Sequence, residues 1–476
     1  MKIDRVLLVI AIGLCARLAV APLVPLTTDE AYYADWSRHL APGYLDHPPL
    51  VAWLIALSTG LLGRTELAVR LPAVLLQAGT TWLAASLAGT LAGPAAALAA
   101  ALLLQAAPVF SLGAVLMTPD APLAFAWMGV LWSFERAYRR DPRWFVVAGA
   151  FLGLGALSKL SAGLLGVAVL GALLADRRGR RLLAGPWPWL GLLLAVAVAS
   201  PMLLWNVRHG WPSLAFQAKH GLGGQDFSFL RLAGSLGAQA AYVSPFIAFL
   251  AGVAAWRALR AGGDSPYRAL AYSALPVVGF FTLAAAFTPG SLPHWPAPGW
   301  LSASILLALV GARRLRAAMA VGFALSAAVV VLVVQPFRLP LPVDPLDELR
   351  DWREGARGAK AASGGARLAT THWIALGQLS WYADEDVAYV GDRPSAATYY
   401  APDPLRGNEP LLVIVPGDLG PDRAALETRL GPLEPAGEAG GPVRRFRYFR
   451  WDPRRPSAPA RPGTGPGPQT PAPPGG

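Results

Sequence analysis

Residues 5–36 read RVLLVIAIGLCARLAVAPLVPLTTDEAYYADW. Roughly the first twenty of them form an apolar run, long enough to cross ~30 Å of hydrocarbon. The run stops at two prolines, and Thr27-Thr28-Asp29-Glu30 follows, leading into Ala31-Tyr32-Tyr33-Ala34-Asp35-Trp36. An apolar span that ends on a carboxylate pair and an aromatic-rich helix start is the junction that sets the fold. The rest of the chain repeats the theme, apolar runs alternating with short polar turns. The expectation is an all-α polytopic membrane protein.

Composition agrees. Of 476 residues, 54% are hydrophobic and only 15% charged, against about 25% charged in soluble domains. The net charge of +12 does not point to nucleic acid, because the arginines sit in short clusters between apolar runs and form no aromatic-studded basic face. The single cysteine, Cys15, lies inside the first apolar run and excludes both an intramolecular disulfide and a cysteine-based zinc cluster. Lys2, Arg5 and the end Ala19-Val20-Ala21 imitate a signal peptide. Pro22 and the acidic motif just beyond favour a retained span, and Leu14 before Cys15 breaks the lipoprotein pattern.

Hydropathy and turn signals predict about eleven spans, near 5–24, 66–90, 94–116, 120–137, 144–158, 161–176, 186–205, 233–257, 268–287, 296–312 and 317–336. Four short loops are arginine-rich: Arg136 to Arg143, Arg177 to Arg181, Arg257 to Arg268, and Arg313 to Arg316. All fall on one side with Lys2 and Arg5, so that side is expected to be cytoplasmic. Pro48–Leu62 is too short to cross and is expected to lie at the outer interface. After residue 336 the composition changes. Residues 337–452 read as a small α/β extracytoplasmic domain, with strands near 387–390 and 411–415 and helices near 344–362 and 422–430. Residues 453–476 form a Pro/Gly-rich tail that cannot bury a core.

This topology puts every histidine and most membrane-domain acids outside, gathered in a few loops. Thr27 and Glu30 form a capping box, which accounts for Glu30 but not for Asp29, a carboxylate costly at this depth unless hydrated, paired or in use. Asp46-His47-Pro48-Pro49 reads either as an acidic cap opening a helix or as a carboxylate and imidazole able to hold a phosphate or a divalent metal. Asp120, in Met117-Thr118-Pro119-Asp120, is an N-cap or a functional acid. Lys159, in Leu157-Ser158-Lys159, snorkels or meets an anionic headgroup. Trp205, Asn206, Arg208 and His209 open a loop that continues to Lys219 and His220. These residues suit a phosphate or sugar ring, or an aromatic belt. His294 and Trp295 end the series.

In this order the segments resemble the bacterial branch of the protein O-mannosyltransferase-like GT-C superfamily, which includes lipid A aminoarabinose and lipopolysaccharide galacturonosyl transferases. The motifs are the outer Asp29-Glu30, the acid before Pro48-Pro49, Thr118-Pro119-Asp120-Ala121-Pro122, Ser158-Lys159, Trp205-Asn206 with His209-Gly210-Trp211, and His294-Trp295. The resemblance covers about residues 1–336. It implies an inverting transfer from a polyprenyl-phosphate sugar to an acceptor hydroxyl of lipid A, another glycan or a protein, at the outer face of the cell membrane. It further implies Asp29 as the base or positioning carboxylate, with Glu30 beside it and Asp120 as a third catalytic acid. Relatives often carry lysine at the position of His47, so the phosphate cation falls to His47, Lys159, Arg208 or Lys219. Asp46, Trp205, Asn206, His209, His220, His294 and Trp295 are the expected substrate contacts. A transporter or flippase of a lipid-linked sugar is the rival reading, and a non-catalytic scaffold a third.

Overall fold

The computed structural model describes residues 3–222, 226–261, 263–334, 344–391, 395–417 and 423–454. The Pro/Gly-rich tail lies outside them beyond Arg454, and so does the side chain of His220. The chain packs as two compact units: Met1–Leu349 with Pro394–Tyr400, and Arg350–Arg393 with Ala401–Gly476.

The first unit is helical. Its helices are α1 (Ile3–Val20), α2 (Thr28–Trp36), α3 (Leu50–Leu62), α4 (Glu66–Ala92), α5 (Pro94–Ala106), α6 (Pro108–Ser111), α7 (Asp120–Arg139), α8 (Trp144–Ser158) and α9 (Ala162–Leu174). There follow α10 (Arg177–Leu183), α11 (Trp187–Arg208), α12 (Pro212–Leu222), α13 (Phe229–Val243), α14 (Pro245–Ala261), α15 (Ser265–Phe287), α16 (Ala297–Ala308) and α17 (Arg316–Val334). The core joins small residues of α4 and α5 to larger ones such as Trp127, Phe134 and Leu301. Small residues let helices approach closely. At the α8–α11 crossing a Cβ on Gly149 would sit 1.9 Å from the Gly191 carbonyl oxygen, so only glycine fits.

Four helices among the described residues are long and apolar enough to cross a membrane, Glu66–Ala92, Trp187–Arg208, Ser265–Phe287 and the helical stretch Ala312–Val334. The α13–α14 pair adds a fifth if counted as one span. Two expected spans are broken instead of continuous. The run 94–116 stops at Ala107, whose extended backbone precedes Pro108, as the residue before a proline prefers. The run 233–257 bends by 103° at Ser244-Pro245. Ser244 takes a left-handed φ of 79° and Pro245 has no N–H to continue the ladder.

The second unit holds a five-stranded sheet of β1 (Arg367–Thr370), β2 (Ala388–Tyr389), β3 (Leu411–Pro416), β4 (Glu434–Gly440) and β5 (Arg445–Trp451), in the order β2-β1-β3-β5-β4. β1 runs parallel to β2 and β3, while β5 is antiparallel to β3 and β4. Strand β3 is buried along its whole length, the pattern of a central strand. Helices α18 (Trp352–Ser363), α19 (Trp373–Ala383) and α21 (Arg423–Leu430) complete it. The short α20 (Ala397–Tyr400) belongs to the first unit.

Candidate active site

Helix α2 is placed by its own first turn. Thr27 accepts the Glu30 amide, and the Glu30 carboxylate accepts the Thr27 amide at 3.0 Å, closing the capping box. The same carboxylate is gripped by Arg70 of α4, Nε to Oε1 at 2.8 Å and Nη2 to Oε2 at 2.7 Å. Arg70 spends its remaining donors on the carbonyls of Ala21, Val24 and Pro25, and the Met117 amide also donates to Glu30 Oε1 at 3.2 Å. Both side chains have no exposed surface. Glu30, expected beside the base, is thus the anchor that ties the end of α1, the start of α2, α4 and the turn before α7 together. Arg70 had a signal in the sequence: an arginine inside an apolar run needs an acidic partner or polar cavity.

Asp29, one residue earlier, differs. It is only partly buried, and no described residue hydrogen-bonds its carboxylate. Burial raises its pKa, repulsion from Asp120 adds to this, and Lys159 opposes both. A carboxylate moved this way is a stronger proton acceptor than an ordinary one.

Helices α7 and α8 form an antiparallel hairpin, so the start of one and the end of the other lie at the same end of the bundle. There the Lys159 ammonium donates to both Asp120 oxygens, at 2.8 and 3.1 Å. His294 Nε2, from the turn before α16, lies 3.7 Å from Asp120 Oδ2. Asp120 is not a cap, since Pro119 holds that position with no side-chain bond. Lys159 does not snorkel, because its ammonium turns to Asp120.

Buried Tyr33 links these acids: Asp29, Asp46 and Asp120 all act on its phenol electrostatically. Its ring lies 6.1 Å from that of His47, and His47 in turn acts on Asp120. Asp46 does not cap α3, whose start is at Pro49 without a side-chain bond. It accepts the Tyr32 hydroxyl at 2.7 Å, and that same oxygen accepts the Ala396 amide at 2.9 Å. Tyr400 donates to Asp35 and stacks on His39 at 4.6 Å. Burial first, then the charge of Asp35, keeps the Tyr400 phenol protonated. Residues 395–400 therefore fasten to α2 through contacts no local pattern announces.

The remaining expected contacts are spread more widely. Asn206 holds a turn, accepting the Ser213 amide at 3.2 Å and donating to the Met202 carbonyl at 3.1 Å. Trp205 is buried and stacks on His209 at 4.5 Å. Arg208 and Lys219 are exposed. Trp295 packs edge-on to Phe281 at 6.4 Å. Among the described residues no group of three or more His, Cys, Asp or Glu is arranged to hold a metal ion, so Asp46 and His47 gain no third ligand there.

Residues 46–205 match the profile of the dolichyl-phosphate-mannose-protein mannosyltransferase family. A lipid A galacturonosyltransferase, RgtD of Rhizobium johnstonii, is 26% identical over 292 residues, 58% of this chain and 59% of that protein. The match thus spans less than two thirds of that relative's length. The crystal structure of apo ArnT from Cupriavidus metallidurans superposes with a TM-score of 0.66 at 20% identity, covering 94% of this chain and 97% of that one. ArnT bound to undecaprenyl phosphate gives 0.63 at 18% identity, covering 94% of this chain and 98% of that one. The oligosaccharyltransferase of Archaeoglobus fulgidus gives 0.52 at 13% identity, covering 85% of this chain and 65% of that one. The chain has the fold of ArnT, and its sequence is similar to that of RgtD.

Proposed function

We propose that this chain is an inverting glycosyltransferase that moves a sugar from a polyprenyl-phosphate donor to a hydroxyl of a lipid A or lipopolysaccharide acceptor. The observation that carries the reading is the contrast within one cluster. Asp29 is partly accessible and without a hydrogen bond from the described residues, while Lys159 and His294 gather around Asp120 close by. A base and a phosphate-binding cation are what this reaction needs.

In the proposed step the acceptor oxygen attacks the anomeric carbon while Asp29 takes the hydroxyl proton. The bond from that carbon to the phosphate oxygen breaks, and polyprenyl phosphate leaves with the electron pair. The leaving group is already an anion, so positive charge near Lys159 serves it better than a general acid. Glu30 and Arg70 act as positioning residues that fix the start of α2. The relatives support the donor and acceptor classes: ArnT was crystallised with undecaprenyl phosphate, and RgtD is named a lipid A galacturonosyltransferase. We assign the site to the outer face of the cytoplasmic membrane, with the N-terminus inside, about eleven spans, and residues 337–452 as an outer domain. The transferred sugar is a hexose or pentose.

The test uses purified full-length protein, undecaprenyl phosphate carrying a radiolabelled uronic acid or aminopentose, and lipid A. The expected result is label bound covalently to lipid A. Label that only crosses a vesicle bilayer, still on its polyprenyl carrier, would instead establish the flippase reading.

A further inference from the structure

Asp120 holds two basic groups at once. Lys159 reaches both of its oxygens, and His294 approaches Oδ2 at 3.7 Å. The lysine charge is therefore already matched. Three carboxylates, Asp29, Asp46 and Asp120, act on Tyr33 here, so acids outnumber the lysine. A phosphate anion arriving beside this cluster adds negative charge to an existing excess, among side chains that keep only 15–31% of their surface. Two imidazoles here, His294 beside Asp120 and His47 beside Tyr33, are able to answer by changing their own charge, and His294 is the one that approaches the Asp120–Lys159 pair at 3.7 Å.

We propose that His294 takes up a proton as the donor phosphate arrives and, with Lys159, becomes one of the two cations that bind it. The inference rests on the polyprenyl-phosphate reading above and adds a residue and a linked proton to it.

The groups that act on His294 are Asp120, at the start of α7, and Lys159, at the end of α8. Burial holds the imidazole below its usual pKa, Asp120 pulls it up, and Lys159 pushes it down. In the empty site at neutral pH it is accordingly mostly neutral. A phosphate alongside adds a second anion and raises its pKa. Donor affinity then rises as pH falls through the bound-state pKa, and levels off below the lower pKa of the empty site.

The probe is undecaprenyl methyl phosphate, a diester with one negative charge throughout the range. Binding to the full-length protein is measured by calorimetry from about pH 5 to 8, in two buffers of different ionisation enthalpy. Asp29 also gains a proton in acid, so the series is run in the Asp29→Asn background. The expected result is an affinity that strengthens toward acid by up to about tenfold per pH unit, the limit for one linked proton, with proton uptake from the buffer. His294→Gln should bind weakly and without the slope. His294→Lys should restore tight binding at all pH values, also without the slope. A His294→Gln protein that keeps the full slope would overturn the proposal, and so would pH-independent binding by the background protein. Failure of the probe to bind at any pH, with wild-type protein folded, would overturn the donor reading itself.

Discussion

The Glu30–Arg70 and Asp120–Lys159 pairs have nearly the same contact distance, 2.7 and 2.8 Å. Their surroundings are opposite. In the first, both side chains are wholly buried, and the guanidinium shares its donors among a carboxylate and three carbonyls. Nothing is left over for a substrate. In the second, Lys159 and Asp120 keep 15% and 26% of their side-chain surface, and an imidazole waits at 3.7 Å. Such a pair can open and exchange one anion for another. Charge alone does not mark a functional residue. Spare hydrogen-bonding capacity at an accessible position leaves a side chain able to meet a substrate, and it separates Asp29 from its neighbour Glu30.

The sealed pair offers the largest stability effect. Arg70→Met leaves Glu30 charged, buried and uncompensated, which costs roughly 3–5 kcal/mol. The protein should lose much of its thermal stability or fail to purify as a single species. A normal melting temperature would show that the lock is not structural.

The open pair should respond in binding rather than in folding. Lys159→Met removes a charge-assisted contact worth about 1.5–3 kcal/mol, so the donor KM should rise by about one to two orders of magnitude. Stability should change little, because Asp120 keeps access to water. An unchanged KM with a lowered melting temperature would make the two pairs alike and erase the comparison. At the bottom of the scale, exposed Lys219→Ala should alter turnover by less than about twofold, as surface substitutions away from special features usually do. A larger loss would move the phosphate site toward α12.

Much of this site was legible in the sequence because its residues sit at helix ends. The end of an apolar run is easily read, and Asp29, Asp120, Lys159 and His294 each fall at or beside such an end. The Glu30 cap is legible in the sequence, and its partner is not. Arg70 lies forty positions away, and hydropathy smooths over one arginine in a long run. The bend at Ser244-Pro245 was written as a Ser-Pro step, yet the apolar content on both sides outweighed it. The bond from Ala396 to Tyr32 spans 364 positions, and no local pattern can announce it. Asn206 has the chemistry of a sugar contact, and in the structure its amide bonds the Met202 carbonyl and the Ser213 amide, partners that residue type alone does not reveal.

The central claim is that Asp29 acts while Glu30 holds. The most direct measurement compares Asp29→Asn with wild type for kcat and melting temperature in one preparation, with kcat followed over pH. Burial and Asp120 raise the Asp29 pKa, so wild-type kcat should fall as pH drops through a value above that of an ordinary carboxylate. Asp29→Asn should lose about 10²–10⁴-fold in kcat, lack that acid limb, and melt at nearly the wild-type temperature. Near-wild-type turnover per folded molecule, or a collapse in stability with the residual kcat unchanged, would contradict the account.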